Sequence, residues 1–148
     1  MAWGYFDTSA LIKRYVDESG RREVLQLLRR HDCATSAVLP VELRSALRRR
    51  VAEGTIDRER VPDILKRFGT DRAFWAFVEV NSDVLAAAET LVATHALRTL
   101  DAIHVASAQL FNARLGSDVV VFVSADKRQA EVATAIGMST RLIVSVRR

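Results

Sequence analysis

Four acidic residues stand where side chains can do chemistry. Asp7 and Asp126 each come just after a short stretch, residues 2–6 and 119–123, with the composition of a buried strand. In open parallel sheets, sites form beyond the carboxyl ends of the strands. Asp101 lies in the run Leu100-Asp101-Ala102-Ile103-His104-Val105-Ala106-Ser107-Ala108, which is apolar or small on nearly every helical face. Burial is therefore expected there, and buried Asp is rare unless it is paired or ligated. Glu42 falls in the first turn of a helix that Pro40 opens. Each acid alone also has a plain structural account. Asp7 and Asp126 can cap helices, and Asp101 and Glu42 can complement a helix dipole.

The set says more than its members, because no Lys or Arg is obviously placed to neutralise all four. Two like charges about 4 Å apart repel by about 4 kcal/mol at an effective dielectric of about 20. A converging cluster of Asp7, Glu42, Asp101 and Asp126 would therefore need cations or raised pKa values. Hard oxygen ligands without cysteine favour Mg²⁺ or Mn²⁺ over zinc. Such a centre activates water and stabilises charge on a phosphoryl group, with no side-chain nucleophile needed. Histidine-driven RNA cleavage would instead give a cyclic phosphate, and only His104, three residues after Asp101, is near the proposed site by sequence. His104 reads as a buried residue or one supporting a ligand, and His31 and His95 have no partner in sequence. A phosphohydrolase similar to the haloacid dehalogenase group would want a second Asp two positions after Asp7, where Ser9 stands. Neither glycine-rich phosphate-loop pattern occurs.

The elements that must position these residues alternate between strand and helix. Strands are expected at residues 2–6, 33–36, 77–80, 119–123 and 141–146. The first helix follows Asp7 with Thr8 or Ser9 as cap, and the second runs from Ser19 and Gly20 to about His31. Leu43, Leu47 and Val51 recur every four residues in a helix over 40–53 that Gly54 ends. Further helices are expected over 56–68 with Asp57 as cap, from Ser82 or Asp83 to His95, from Thr99 onward, and up to Ile136 before Gly137. This order predicts an α/β chain: a three-layer α/β/α sandwich around a central, mostly parallel sheet, in one domain spanning residues 1–148.

The balance of 22 Lys and Arg against 18 Asp and Glu gives a net charge of +4, which favours polyanionic partners. Basic pairs follow three of the acids closely: Lys13 and Arg14, Arg44 and Arg48, Lys127 and Arg128. They could guide a nucleic acid, or be solvated faces as charge runs usually are. Arg48, Arg49 and Arg50 point around about 200° of helix and cannot form one patch. Trp3, Trp75 and Phe77 could stack on bases, although such aromatics more often serve core or dimer contacts. Cys33 is the only cysteine, so no internal disulfide is expected, which suits a reducing cytoplasm. The N-terminal stretch lacks signal-peptide order, and no apolar run approaches membrane-spanning length.

The pattern Phe6-Asp7-Thr8-Ser9-Ala10-Leu11, then Glu42-Leu43 after Ser36, then Leu100-Asp101-Ala102-Ile103-His104, then Ser124-Ala125-Asp126 resembles the PIN domain. More closely it resembles VapC-type toxins of bacterial toxin–antitoxin pairs, nearly end to end. The resemblance implies that Asp7, Glu42, Asp101 and Asp126 bind Mg²⁺ or Mn²⁺ and hydrolyse RNA, with Thr8, Ser9 and Ser124 supporting the site. It implies in-line attack leaving a 5′-phosphate and a 3′-hydroxyl. It also implies a homodimer and a small inhibitory antitoxin. A catalytically idle interaction protein would share the same residues. Asp126 matches the acid that varies most in that family, and Pro40 just before Glu42 is a local departure from the pattern.

Overall fold

Alternation of apolar residues sets the inner layer of the fold, which the computed structural model describes for residues 1–116 and 119–145. Five strands, β1 Ala2–Phe6, β2 His31–Ser36, β3 Ala76–Val78, β4 Val120–Ser124 and β5 Ser139–Leu142, form one all-parallel sheet in the order β3-β2-β1-β4-β5. In the central strand, successive side chains leave by opposite faces. Phe6 joins one apolar cluster and Tyr5 the other. The first face is covered by α1 Thr8–Leu11, α2 Arg21–Arg30, α3 Leu39–Ala52 and α4 Val61–Asp71, through Leu11, Val24, Leu43, Leu47 and Phe68. The second is covered by α5 Ser82–Thr94, α6 Thr99–Arg114 and α7 Lys127–Ala135, through Val84, Leu91, Val105 and Val132. The three layers are those the alternating pattern predicts.

The chain leaves β1 toward β2 on one side and reaches β4 on the other, so the order reverses beside the central strand. A crevice opens at such a point, beyond the carboxyl ends of the strands. Phe6 pairs with Val123, and the Asp7 amide continues that pairing onto the Val123 carbonyl at 3.1 Å. Asp7 is thereby delivered to the crevice by the sheet itself.

Several boundaries differ from the sequence expectation for identifiable reasons. Helix α1 is a single turn that tightens into a 3-10 turn, Ile12–Arg14, and its cap is the Asp7 carboxylate, not Thr8 or Ser9. Asn81, not Ser82 or Asp83, caps α5 by accepting the Val84 amide. Thr99 lies inside α6, whose N-cap, Arg98, makes no side-chain capping bond. Residues 56 and 57 precede a 3-10 turn, Arg58–Arg60, and α4 begins only at Val61. Strand β5 begins two residues earlier than expected, because the sharp turn at Gly137, φ 92°, brings Ser139 directly beside Val121. Val146, the expected end of that strand, lies outside the described residues. No helix among the described residues is long and apolar enough to cross a membrane.

Two features outside the crevice hold this frame. Gly20 has φ +91°, and a Cβ there would meet Ile143 Cγ2 at 2.4 Å, whereas at Gly54, φ +78°, nothing lies within 4 Å. Gly20→Ala is therefore expected to destabilise by about 2–4 kcal/mol, from left-handed strain plus overpacking, and Gly54→Ala by only about 1 kcal/mol. Urea unfolding of the two variants checks the difference. Asp71, at the end of α4, accepts two bonds from Arg14 at 2.8 and 3.1 Å and one from the Tyr15 hydroxyl at 2.6 Å. Burial pushes its carboxyl pKa up, but the Arg14 and Tyr15 bonds outweigh this and hold it below the ordinary value. Its stabilisation is therefore present above the unfolded pKa and lost as pH falls through the depressed one. Asp71→Asn is expected to lose about 2 kcal/mol at neutral pH, with the gap to the wild type closing in acid. Thermal melts across pH measure this.

Candidate active site

Asp7, at the end of the central strand, is 1% exposed, and its carboxylate is held by three donors. Oδ1 accepts the Ala10 amide at 3.0 Å. The Ser9 hydroxyl reaches both oxygens at 2.8 Å, and the Ser124 hydroxyl donates to Oδ2 at 2.7 Å. The two serines are themselves fixed, since Ser9 Oγ accepts the Ala125 amide and Ser124 Oγ the Asp126 amide, each at 2.9 Å. Burial pushes the Asp7 pKa up, and the potential of the His104 ring and the bonds from Ser124, Ser9 and Ala10 only partly oppose it. An ionised Asp7 therefore calls for positive charge beside it.

Glu42 reaches the crevice from α3 and Asp101 from α6, on opposite faces of the sheet. Glu42 Oε1 accepts from the Thr8 hydroxyl at 2.8 Å and meets His104 Nε2 at 2.6 Å. Burial raises the Glu42 pKa, but the bonds from His104 and Thr8, helped by the charge of Arg49, bring it below the ordinary value. Asp101 Oδ1 accepts from Gln129 Nε2 at 2.8 Å. Its pKa is raised, first by burial and then by the negative charge of Asp126. Asp126 caps α7, accepting the Arg128 amide at 2.9 Å and the Gln129 amide at 3.4 Å.

The four acids, with Thr8 and Ser9, line one cleft of about 800 Å³, and Ser124 is buried beside it through its bond to Asp7. The cleft spans the carboxyl ends of β1 and β4. Among the described residues no three Asp, Glu, His or Cys side chains stand in an arrangement ready to hold a metal ion. Each acid has a donor of its own: Ser124 for Asp7, His104 for Glu42, Gln129 for Asp101 and the Arg128 amide for Asp126. The oxygen-only donor set, and the repulsion that Asp101 feels from Asp126, nonetheless fit a hard divalent cation; gathering it requires some of these side chains to turn.

The basic residues divide differently from the sequence grouping. Lys13 lines the cleft but is buried, with its ammonium on Glu18 Oε1 at 3.1 Å and the Ser19 carbonyl at 2.7 Å. Arg14 is spent on Asp71 and does not line the cleft. Arg44 and Arg48 line a separate groove between α3 and α4. Lys127 and Arg128 border a pocket that shares Asp101 and Asp126 with the cleft. Arg49, Arg50 and Arg98 line the cleft itself, although the sequence pattern assigned none of them to the site. A helical repeat could have found Arg49, seven residues from Glu42 and so on the same face, whereas Arg44 and Arg48 point elsewhere. Gln129 was missed too, although it lies three residues after Asp126 on the same helix face.

The family model for the PIN domain matches residues 4–135, a span that includes all four acids. A chain of a toxin–antitoxin complex from Klebsiella pneumoniae shares the fold, with a TM-score of 0.68 at 19% identity, over 97% of this chain and 99% of that one. None of the curated proteins compared with the sequence matches it. With that family match running from within β1 to the end of α7, the chain belongs to the PIN-domain family.

Proposed function

We propose that this chain is a Mg²⁺- or Mn²⁺-dependent endoribonuclease, and the VapC-type toxin of a toxin–antitoxin pair. The observation that carries the reading is the convergence of Asp7, Glu42, Asp101 and Asp126 on one cleft, with Asp7 buried as its floor. When bound, the metal supplies an acidified water and positive charge at the scissile phosphate. Asp7, immobilised by Ser9, Ser124 and the Ala10 amide, is the anchoring ligand. Glu42, Asp101 and Asp126 complete the carboxylate set from α3, α6 and the start of α7. Arg49 and Arg98, exposed on the cleft, are suited to phosphate oxygens on either side of the cut. Membership of the PIN family supports hydrolysis, and the fold shared with a chain of a toxin–antitoxin complex supports a protein inhibitor. Leu85 and Val92, seven residues apart on α5, are exposed and give apolar area for a homodimer.

Asp7→Asn is expected to cut Mg²⁺-dependent cleavage of labelled RNA by about a hundredfold or more. EDTA is expected to silence the wild type, and products should carry 5′-phosphate ends. Equal cleavage by the variant or in EDTA sinks the reading, and a 2′,3′-cyclic phosphate product redirects it to histidine chemistry. The variant also tests the burial of Asp7. With its folded pKa raised, ionised Asp7 opposes folding as pH rises from the unfolded value through the folded one. Metal-free Asp7→Asn is therefore expected to melt no lower than the wild type at neutral pH, and to lose that advantage in acid. Melting curves at both pH values check the sign.

A further inference from the structure

His104 lies in the buried middle of α6, 1% exposed, and three polar groups converge on its ring. Tyr5 Oη is 2.9 Å from Nδ1. Glu42 Oε1 is 2.6 Å from Nε2, and Thr8 Oγ1 is 3.2 Å from the same nitrogen. An ionised carboxylate only accepts, so the proton between Glu42 and His104 belongs to Nε2. This holds for the neutral ring, with the Tyr5 hydroxyl donating to Nδ1, and for the imidazolium, with Tyr5 accepting.

We infer that His104 is a positioning residue that fixes Oε1 of Glu42 and so reserves Oε2 as the oxygen offered to a bound cation. Thr8 donates to that same Oε1 at 2.8 Å, while Oε2 has no hydrogen-bond partner among the described residues. A flexible glutamate at a helix start is thereby reduced to one presentation. The inference rests on the metal-dependent reading above. Packing alone gives no reason for this arrangement, because a core histidine needs only that its nitrogens be satisfied, not that both donors choose one carboxylate oxygen. Donors that orient a ligating carboxylate typically change metal affinity by about 10- to 100-fold when removed.

The test titrates Mn²⁺ calorimetrically into the full-length chain and its His104 variants, with melting curves recorded alongside. The Gln amide nitrogen reaches the place of Nε2, whereas that of Asn reaches the place of Nδ1. H104L and H104N are expected to bind Mn²⁺ about 10- to 100-fold more weakly, and H104Q to recover affinity to within about threefold of the wild type. Equal affinity in all variants overturns the positioning role and leaves the metal reading standing. A wild type that binds no Mn²⁺ overturns the metal reading and the role with it. The metal-free chain gives a separate readout even where a variant fails to fold. A strongly downfield imidazole N–H resonance is expected in the wild type and should move upfield in E42Q; its absence from the wild type overturns the inference.

Discussion

The burial of one carboxylate governs the rest. Asp7 follows the central strand, and its amide extends the β1–β4 pairing, so the backbone cannot withdraw the side chain from the floor of the cleft. A carboxylate so enclosed requires donors, and Ser9, Ser124 and the Ala10 amide supply them without balancing its charge. The same three donors start α1 and join the loops after β1 and β4. Structure and electrostatics are thus tied at one residue, because what anchors the loops also fixes the acid.

From that anchor the two faces of the sheet meet. Helix α3 packs Leu39 and Leu43 into the cluster on one face, and α6 packs Ala102, Val105 and Ala106 into the cluster on the other. Small residues on α6 let its backbone approach the sheet closely, which brings His104 to Tyr5 and beneath Glu42. The Glu42–His104 bond therefore joins both layers over the end of β1. Asp101 lies one turn before His104 and is held from α7 by Gln129. Glu42 and Asp101 thus take their positions from contacts across two elements, whereas Asp126 is set locally as the cap of α7.

That division explains what could be read in the sequence. Strand and helix alternation, the parallel sheet and the place of Asp7 past β1 follow from local composition and period, and they were legible. So was the burial of α6 over residues 102–108, although Leu100 is exposed and Asp101, at the cleft, is only partly buried. Partnerships were not legible. Nothing local links Arg14 to Asp71, 57 residues away, or Glu42 to His104, 62 away, because such pairs exist only after the layers pack. Capping errors have a similar origin: Thr8, Ser9 and Asp7 are all acceptable caps by type, and packing against Ser124 decides for Asp7. Arg49 is different, since the helical repeat from Glu42 carried the signal.

The fate of the basic residues completes the electrostatic argument. A cluster of acids in a protein with net positive charge risks being neutralised by its own lysines and arginines. Here three nearby cations are engaged elsewhere, Lys13 and Arg50 sharing Glu18 and Arg14 holding Asp71. Arg49 and Arg98 stay on the exposed lining, where Arg49 helps to lower the pKa of Glu42 and Arg98 only opposes the rise of that of Asp101. Solvent screens such exposed charges, so they moderate the acids without replacing a ligand. The cleft is consequently acidic at its floor and basic at its margins. On the proposed reading this order has a use: a polyanion approaching the +4 surface is attracted to the margins, and a divalent cation held by the carboxylates would offset part of the negative charge that it meets at the floor.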